Sequence, residues 1–193
     1  MRAARWLHLT GITPALGIGS RAVVERSLAE ATSAEARVSF DVNYRAKLWS
    51  PAEAAQGLAP LLAHVTVLIC SLRDGVTLFG LPQEAEDAVV VLHERFRPGV
   101  TVLTVGEQGA LAYDGMLRRQ PALRAQTIDP LGSGDAFAAG FIAGYLEDGV
   151  PRGLAFGAAL AALKRTYRGD LAWCTRQQLL AVLEQGGDTT VRR

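Results

Sequence analysis

The sequence predicts an α/β fold in which a mostly parallel sheet is flanked by helices. Three observations carry this expectation. Two short apolar runs, residues 65–70 and 100–105, lack polar alternation, as strands buried on both faces do. Helical stretches stand between the strand-like segments for most of the length. Hydrophobic residues make up 49% of the chain against 20% charged, enough to build a packed core and too apolar for disorder.

The elements follow in order. Residues 6–12 are largely apolar and close on Thr10-Gly11, which suits a strand and its end. Residues 21–35 carry alanines, leucine and charges at helical spacing. Residues 38–43 alternate and are rich in β-branched or aromatic side chains, so a strand is expected. Ser50-Pro51-Ala-Glu53 is a helix start: Ser50 caps, Pro51 suits the first helical position, and Glu53 completes a capping box. That helix is expected to reach about residue 62. Residues 65–70 form a buried strand, 84–95 a helix and 100–105 another buried strand. Asp114-Gly115 between two short β-like runs signals a hairpin. Helices are expected over residues 132–147, 151–164 and 175–183. One domain over residues 1–185 with a frayed tail at 186–193 is the expected organisation.

Composition narrows the functional classes. The chain has 20 basic and 19 acidic residues, a net charge of +1, and so offers no electrostatic case for a nucleic-acid partner. Any bound anion must be held by a local site. Cys70 and Cys174 have no neighbouring Cys or His at metal-ligand spacing, and no metal ligands are assigned. A reduced, cytoplasmic protein is expected. The apolar run at residues 136–146 is too short to span a bilayer and stops at Glu147-Asp148, so no membrane partner is expected. No Gly-x-Gly-x-x-Gly follows the first strand and no Gly-x-x-x-x-Gly-Lys-Ser/Thr occurs, which argues against a dinucleotide-binding dehydrogenase and a P-loop enzyme. His8, His64 and His93 do not cluster in sequence.

The segment that carries chemistry is Asp129-Pro-Leu-Gly-Ser-Gly-Asp-Ala-Phe137. A loop with Gly132 and Gly134 opens into an apolar helix. The first amides of a helix point outward and the macrodipole adds partial positive charge there. Glycines let a bulky anion approach the backbone. Gly132, Ser133 and Gly134 therefore read as a phosphate cradle that needs no lysine. Asp135, in the first turn, would accept the proton of an attacking hydroxyl. Taken bare, Gly-x-Gly-Asp also fits a flexible turn beside a favourably placed acid. Here apolar residues 136–140 follow it, and Gly140 and Gly144 allow the helix to pack closely on a neighbour.

This segment resembles the C-terminal signature of the PfkB, or ribokinase-like, carbohydrate kinases, Asp-Thr/Pro-x-Gly-Ala-Gly-Asp-x-Phe. The text at residues 7–12, 40–45 with Leu48-Trp49, and 127–130 is most similar to the 2-keto-3-deoxygluconate kinases of that family. The resemblance implies a ribokinase-like three-layer α/β/α fold, ATP and Mg2+ as cofactors, and a sugar or sugar acid as acceptor. It implies Asp135 as base and the amides of Gly132, Ser133 and Gly134 as anion hole. It places Thr104, Gly106 and Gly109, in Thr-x-Gly-x-x-Gly, along the ATP site, although that string alone suits a plain tight turn. It makes the helix bearing Ala158 a wall of the adenine pocket. Asn43 and Arg45, in Asp-x-Asn-x-Arg, would meet the substrate. Arg45 is equally readable as a surface arginine or as the fork that pairs with a carboxylate.

Three departures from the family pattern stand out. The family's Asn-x-x-Glu is replaced by Ser71-Leu-Arg-Asp74, which bears on metal handling. Ala158 stands where an Asn is frequent. The family's N-terminal strands and β lid have no counterpart here, so water would compete as phosphoryl acceptor and an uncovered sheet edge would favour a homo-oligomer. The alternative expectation is accordingly a catalytically impaired remnant that binds nucleotide or self-associates.

Overall fold

The computed structural model describes residues 4–184. Four strands, β1 (Trp6–Thr10), β2 (Arg37–Asp41), β3 (Val67–Ser71) and β4 (Val100–Thr104), pair in parallel. With β5 (Ala110–Tyr113) and β6 (Leu117–Gln120) they make a six-stranded sheet in the order β1-β2-β3-β4-β5-β6. The register sets Thr10 beside Asp41 and Ser71 beside Thr104, so the parallel strands end together. In open α/β sheets the carboxyl ends of the strands are where ligands gather.

The described chain divides into two compact units. The first holds the residues up to Val105 together with Leu111–Leu117. Its core sits on one face of the sheet. Val38 and Phe40, Leu68 and Cys70, and Leu103 alternate onto that face and meet Val24 and Leu28 of α2 (Ile18–Ser33), Leu58 and Leu62 of α3 (Pro51–Leu62), and Val89 and Leu92 of α5 (Ala85–Phe96). Residues 67–70 and 100–103 are buried throughout, which is why those strands carry no polar alternation. α3 begins as its sequence requires: the Glu53 amide donates to Ser50 Oγ at 3.3 Å, and the Ser50 amide donates to Glu53 Oε2 at 2.8 Å. Cys70 is buried, and burial, then the charges of Asp74 and Asp41, push its thiol well above the ordinary range, as befits an inert structural cysteine.

Two helices were not expected from the sequence. α1 (Ile12–Ala15) is a single turn, and α4 (Leu72–Phe79) starts with no intervening loop after β3. Ser71 ends the strand and caps the helix at once, accepting the Asp74 amide at 3.0 Å. Gly80, at φ +65°, closes α4 in the left-handed conformation that glycine tolerates.

The second unit comprises Gly106–Ala110 and the chain from Arg118 onward. α6 (Ser133–Arg165) breaks at Asp148 and Gly149, whose backbone is not helical. Its two arms match the separate helices expected over 132–147 and 151–164. They lie backbone against backbone: a Cβ on Gly140 would fall 2.6 Å from the Phe156 carbonyl oxygen, and one on Gly144 would fall 2.4 Å from that of Arg152. Gly153 and Gly157 return the contact against Phe141 and Phe137. Phe156, Ala159 and Leu163 pack on Leu179 and Val182 of α7 (Arg176–Glu184), and Arg176 donates both terminal nitrogens to Glu147. The expected tail at 186–193 lies outside the described residues. Among those described, no helix is long and apolar enough to cross a membrane.

Candidate functional site

In the second unit the segment leading into α6 is held by its own side chains and main chain. Asp129 is the organiser. Its Oδ1 accepts the Leu131 amide and its Oδ2 accepts the Gly169 amide, both at 2.9 Å. These bonds, the first larger than the second, hold its carboxyl below the usual carboxylate value, and the nearby Lys164 charge adds to the effect. The Ile128 and Asp129 amides both reach the Arg165 carbonyl, at 2.8 and 3.1 Å. The loop before α6 is thereby bound to the loop after it.

Gly132 adopts φ +77° and caps α6. A Cβ there would lie 2.3 Å from the Asp170 carbonyl oxygen, so only glycine fits on two separate grounds. Gly134 is the opposite case, because a Cβ at that position would meet nothing within 4 Å. The Ser133 amide is turned to the Pro130 carbonyl at 3.2 Å. An arriving oxyanion would have to draw that amide away, whereas Gly134 presents open space before the helix dipole. Asp135 is exposed in the first turn, and Ala136 behind it is buried. The arrangement fits a phosphoryl group: a helix of adequate length, a glycine whose missing side chain leaves room, and an acid alongside. No cluster of three His, Cys, Asp or Glu that could hold a metal ion occurs among the described residues.

The other expected nucleotide-site residues fall as follows. Gly106 (φ +56°) and Gly109 (φ +105°) shape a 3-10 turn, and a Cβ on Gly109 would strike the Gln120 carbonyl oxygen at 2.1 Å. Gly109 is required by the turn itself, whereas Gly106 takes a left-handed φ with open space around it. Ala158 is buried in the second arm of α6, next to Gly157, which rests on Phe137. Nothing in the sequence singled out Lys164. It is wholly buried, and its Nζ donates to the Asp129 carbonyl at 3.0 Å and the Tyr167 carbonyl at 3.3 Å.

Asn43, Arg45 and Thr104 belong to the first unit, at the carboxyl ends of β2 and β4. Asn43 takes φ +40°, rare for a residue with a side chain, and its amide donates to Asp41 Oδ1 at 3.2 Å. The turn it starts is anchored where the Tyr44 hydroxyl donates to the Trp49 carbonyl at 3.1 Å. Arg45 is exposed and its Nη1 donates to the Tyr44 carbonyl at 3.0 Å. Asp74, the residue standing in the place of the family's Glu, is buried and accepts the Tyr44 amide at 3.4 Å. It therefore supports the Asn43–Arg45 turn from beneath.

The model of the pfkB family carbohydrate kinase matches residues 2–177 of this chain. The chain belongs to the pfkB family. Among its relatives is the 2-dehydro-3-deoxygalactonokinase of Haloferax volcanii, 39% identical over 188 residues, covering 96% of this chain and 59% of that protein. Among solved pfkB-like structures, the 2-dehydro-3-deoxygluconokinase of Thermotoga maritima superposes with a TM-score of 0.84 at 26% identity, over 94% of this chain and 60% of that one. The fructokinase of Vibrio cholerae O395, crystallised with fructose, ADP and calcium, shares the fold with a TM-score of 0.83 at 24% identity, over 92% of this chain and 60% of that one. The ribokinase-like α/β fold expected from the sequence is therefore the fold of this chain. It spans about six tenths of the length of the pfkB relatives it matches.

Proposed function

We propose that the chain carries the phosphoryl-transfer half of an ATP-dependent kinase acting on a hydroxyl of a 2-keto-3-deoxy sugar acid, with 2-keto-3-deoxygluconate as the first candidate. The head of α6 carries this reading. Gly132 has no room for a side chain, an added Cβ on Gly134 would meet open space, and Asp135 stands exposed next to it in the chain. The amides of Gly132, Ser133 and Gly134 would hold the transferring phosphoryl group as charge develops on its oxygens. Asp135 accepts the acceptor's hydroxyl proton, which raises the nucleophilicity of that oxygen as it attacks. Mg2+, carried in with the triphosphate, supplies charge neutralisation on the phosphate oxygens.

On this reading Thr104, Gly106 and Gly109 line the nucleotide site, Ala158 walls the base, and Asn43 and Arg45 hold the sugar acid. The fork of Arg45 suits a carboxylate, which a sugar acid has and a plain sugar lacks. The relatives named for 2-dehydro-3-deoxy acids support this choice of acceptor. β1 lies at one end of the sheet order, and self-association through it belongs to the same proposal.

The test is ADP release from ATP and Mg2+ with 2-keto-3-deoxygluconate, with its galacto epimer as second acceptor and light scattering for mass. Turnover that falls roughly 10²- to 10⁴-fold in Asp135→Asn, with ATP still bound, is the expected result. ATP binding without phosphorylation of either acid would instead make the chain an impaired nucleotide binder. A chain that neither binds nor transfers would overturn the proposal, and a monomeric mass would reject self-association.

A further inference from the structure

Lys164 is not needed for any step above, yet its placement is costly. It is 0% exposed, in the last turn of α6. A charged amine withdrawn from water loses several kcal/mol of hydration unless its donors are satisfied. A methionine would fill much of the same volume without that cost, so packing alone does not call for an amine. What the ammonium does is join main-chain oxygens of two loops, the Asp129 carbonyl at 3.0 Å and the Tyr167 carbonyl at 3.3 Å.

Those loops are the ones that shape the anion site. Residues 128–132 lead into α6, and residues 166–170 leave it. They are also tied by the Arg165 carbonyl, which takes two amides, and by the Gly169 amide on Asp129 Oδ2 at 2.9 Å. Gly132 sits against the Asp170 carbonyl with no room for a methyl. Each of these contacts draws one loop onto the other, and Lys164 supplies the cation of the set, beside the Asp129 carboxylate. Without it, the carbonyl oxygens of two half-buried residues would lose their donor.

We infer that Lys164 is a positioning residue for the anion-binding loop, a cation built into the chain that fixes residues 129–134 and favours a terminal phosphoryl group there. The inference rests on the phosphoryl-transfer reading and adds to it the residue that sets the loop's shape. It places the effect on the nucleotide rather than on the sugar acid. Misplacing a reacting group by about 1 Å costs about 100-fold, so Lys164→Met should lower kcat/KM for ATP by that order while the KM for the acceptor stays near that of the parent.

Chemical rescue separates positioning from mere stability. Lys164→Ala leaves a cavity lined by the same two carbonyls. Ammonium or methylammonium should restore much of its kcat/KM for ATP, and tetramethylammonium at equal ionic strength should not, being too large to enter. Circular dichroism establishes that each variant is folded, and if Lys164→Ala is not, the kinetics of Lys164→Met decide. Parent-like kinetics in Lys164→Met, a rise in the acceptor's KM as large as the loss in kcat/KM for ATP, or rescue by tetramethylammonium as well would overturn the inference while leaving the function intact. A parent chain that neither binds ATP nor turns over would instead defeat the function on which it rests.

Discussion

Two glycines at the head of α6 should answer the same added methyl in opposite ways. At Gly132 the backbone is left-handed at φ +77°, which costs a side-chain-bearing residue about 1–2 kcal/mol. The new Cβ would also lie 2.3 Å from the Asp170 carbonyl oxygen, and because that atom belongs to the backbone, relief requires a loop to move. Overpacking of this kind typically costs about 1–3 kcal/mol more. Gly132→Ala should therefore be less stable by about 2–5 kcal/mol, and at roughly 2–4 °C per kcal/mol the loss in Tm is easily measured. At Gly134 a Cβ meets nothing within 4 Å, and alanine is the better helix former by up to about 1 kcal/mol. Gly134→Ala should melt at or slightly above the parent temperature. On the proposed reading its methyl would crowd a phosphoryl group at the amides, and weakening one such contact costs about 100-fold or more in kcat. Calorimetry and ADP release on both variants give the full comparison. Parent-like turnover in Gly134→Ala would refute the anion site, and an unchanged Tm in Gly132→Ala would refute the close approach of the two loops.

Two further outcomes are expected. Asp129 is held below its ordinary value of 3.8 by the Leu131 and Gly169 amides, so its contribution is complete above that pH and fades as pH falls toward the folded-state value. The Tm difference between the parent and Asp129→Asn should thus hold steady down to about pH 4 and then shrink, and a pH-independent difference would contradict the assignment. Ser50→Ala should destabilise by about 1 kcal/mol in denaturant melts through loss of the α3 capping box, and no change would show that the cap is dispensable.

Much of the fold was legible because its signals are local. Ser50-Pro51-Ala-Glu53 announces a helix start through contacts within four residues, and the apolar runs of β3 and β4 report burial on both faces directly. α4 was missed for a definite reason: its cap, Ser71, is also the last strand residue, so no turn punctuation separates the two elements. The head of α6 was legible where glycines and the apolar run adjoin in the chain, as at residues 132–137. Lys164 was not, since it meets Asp129 across 35 residues and looks in sequence like an ordinary last-turn lysine. Asp74 was noticed as a departure from the family pattern, but its contact with the Tyr44 amide depends on how β2 and α4 meet in space.

The glycine contact inside α6 has a mechanical consequence. Because Gly140, Gly144, Gly153 and Gly157 bring the two arms together atom on atom, neither arm can slide or roll without its backbone colliding with the other. Asp135 lies near the start of one arm and Ala158 along the other, so the spacing between these two positions is set by main chain on main chain and not by side chains that could readjust.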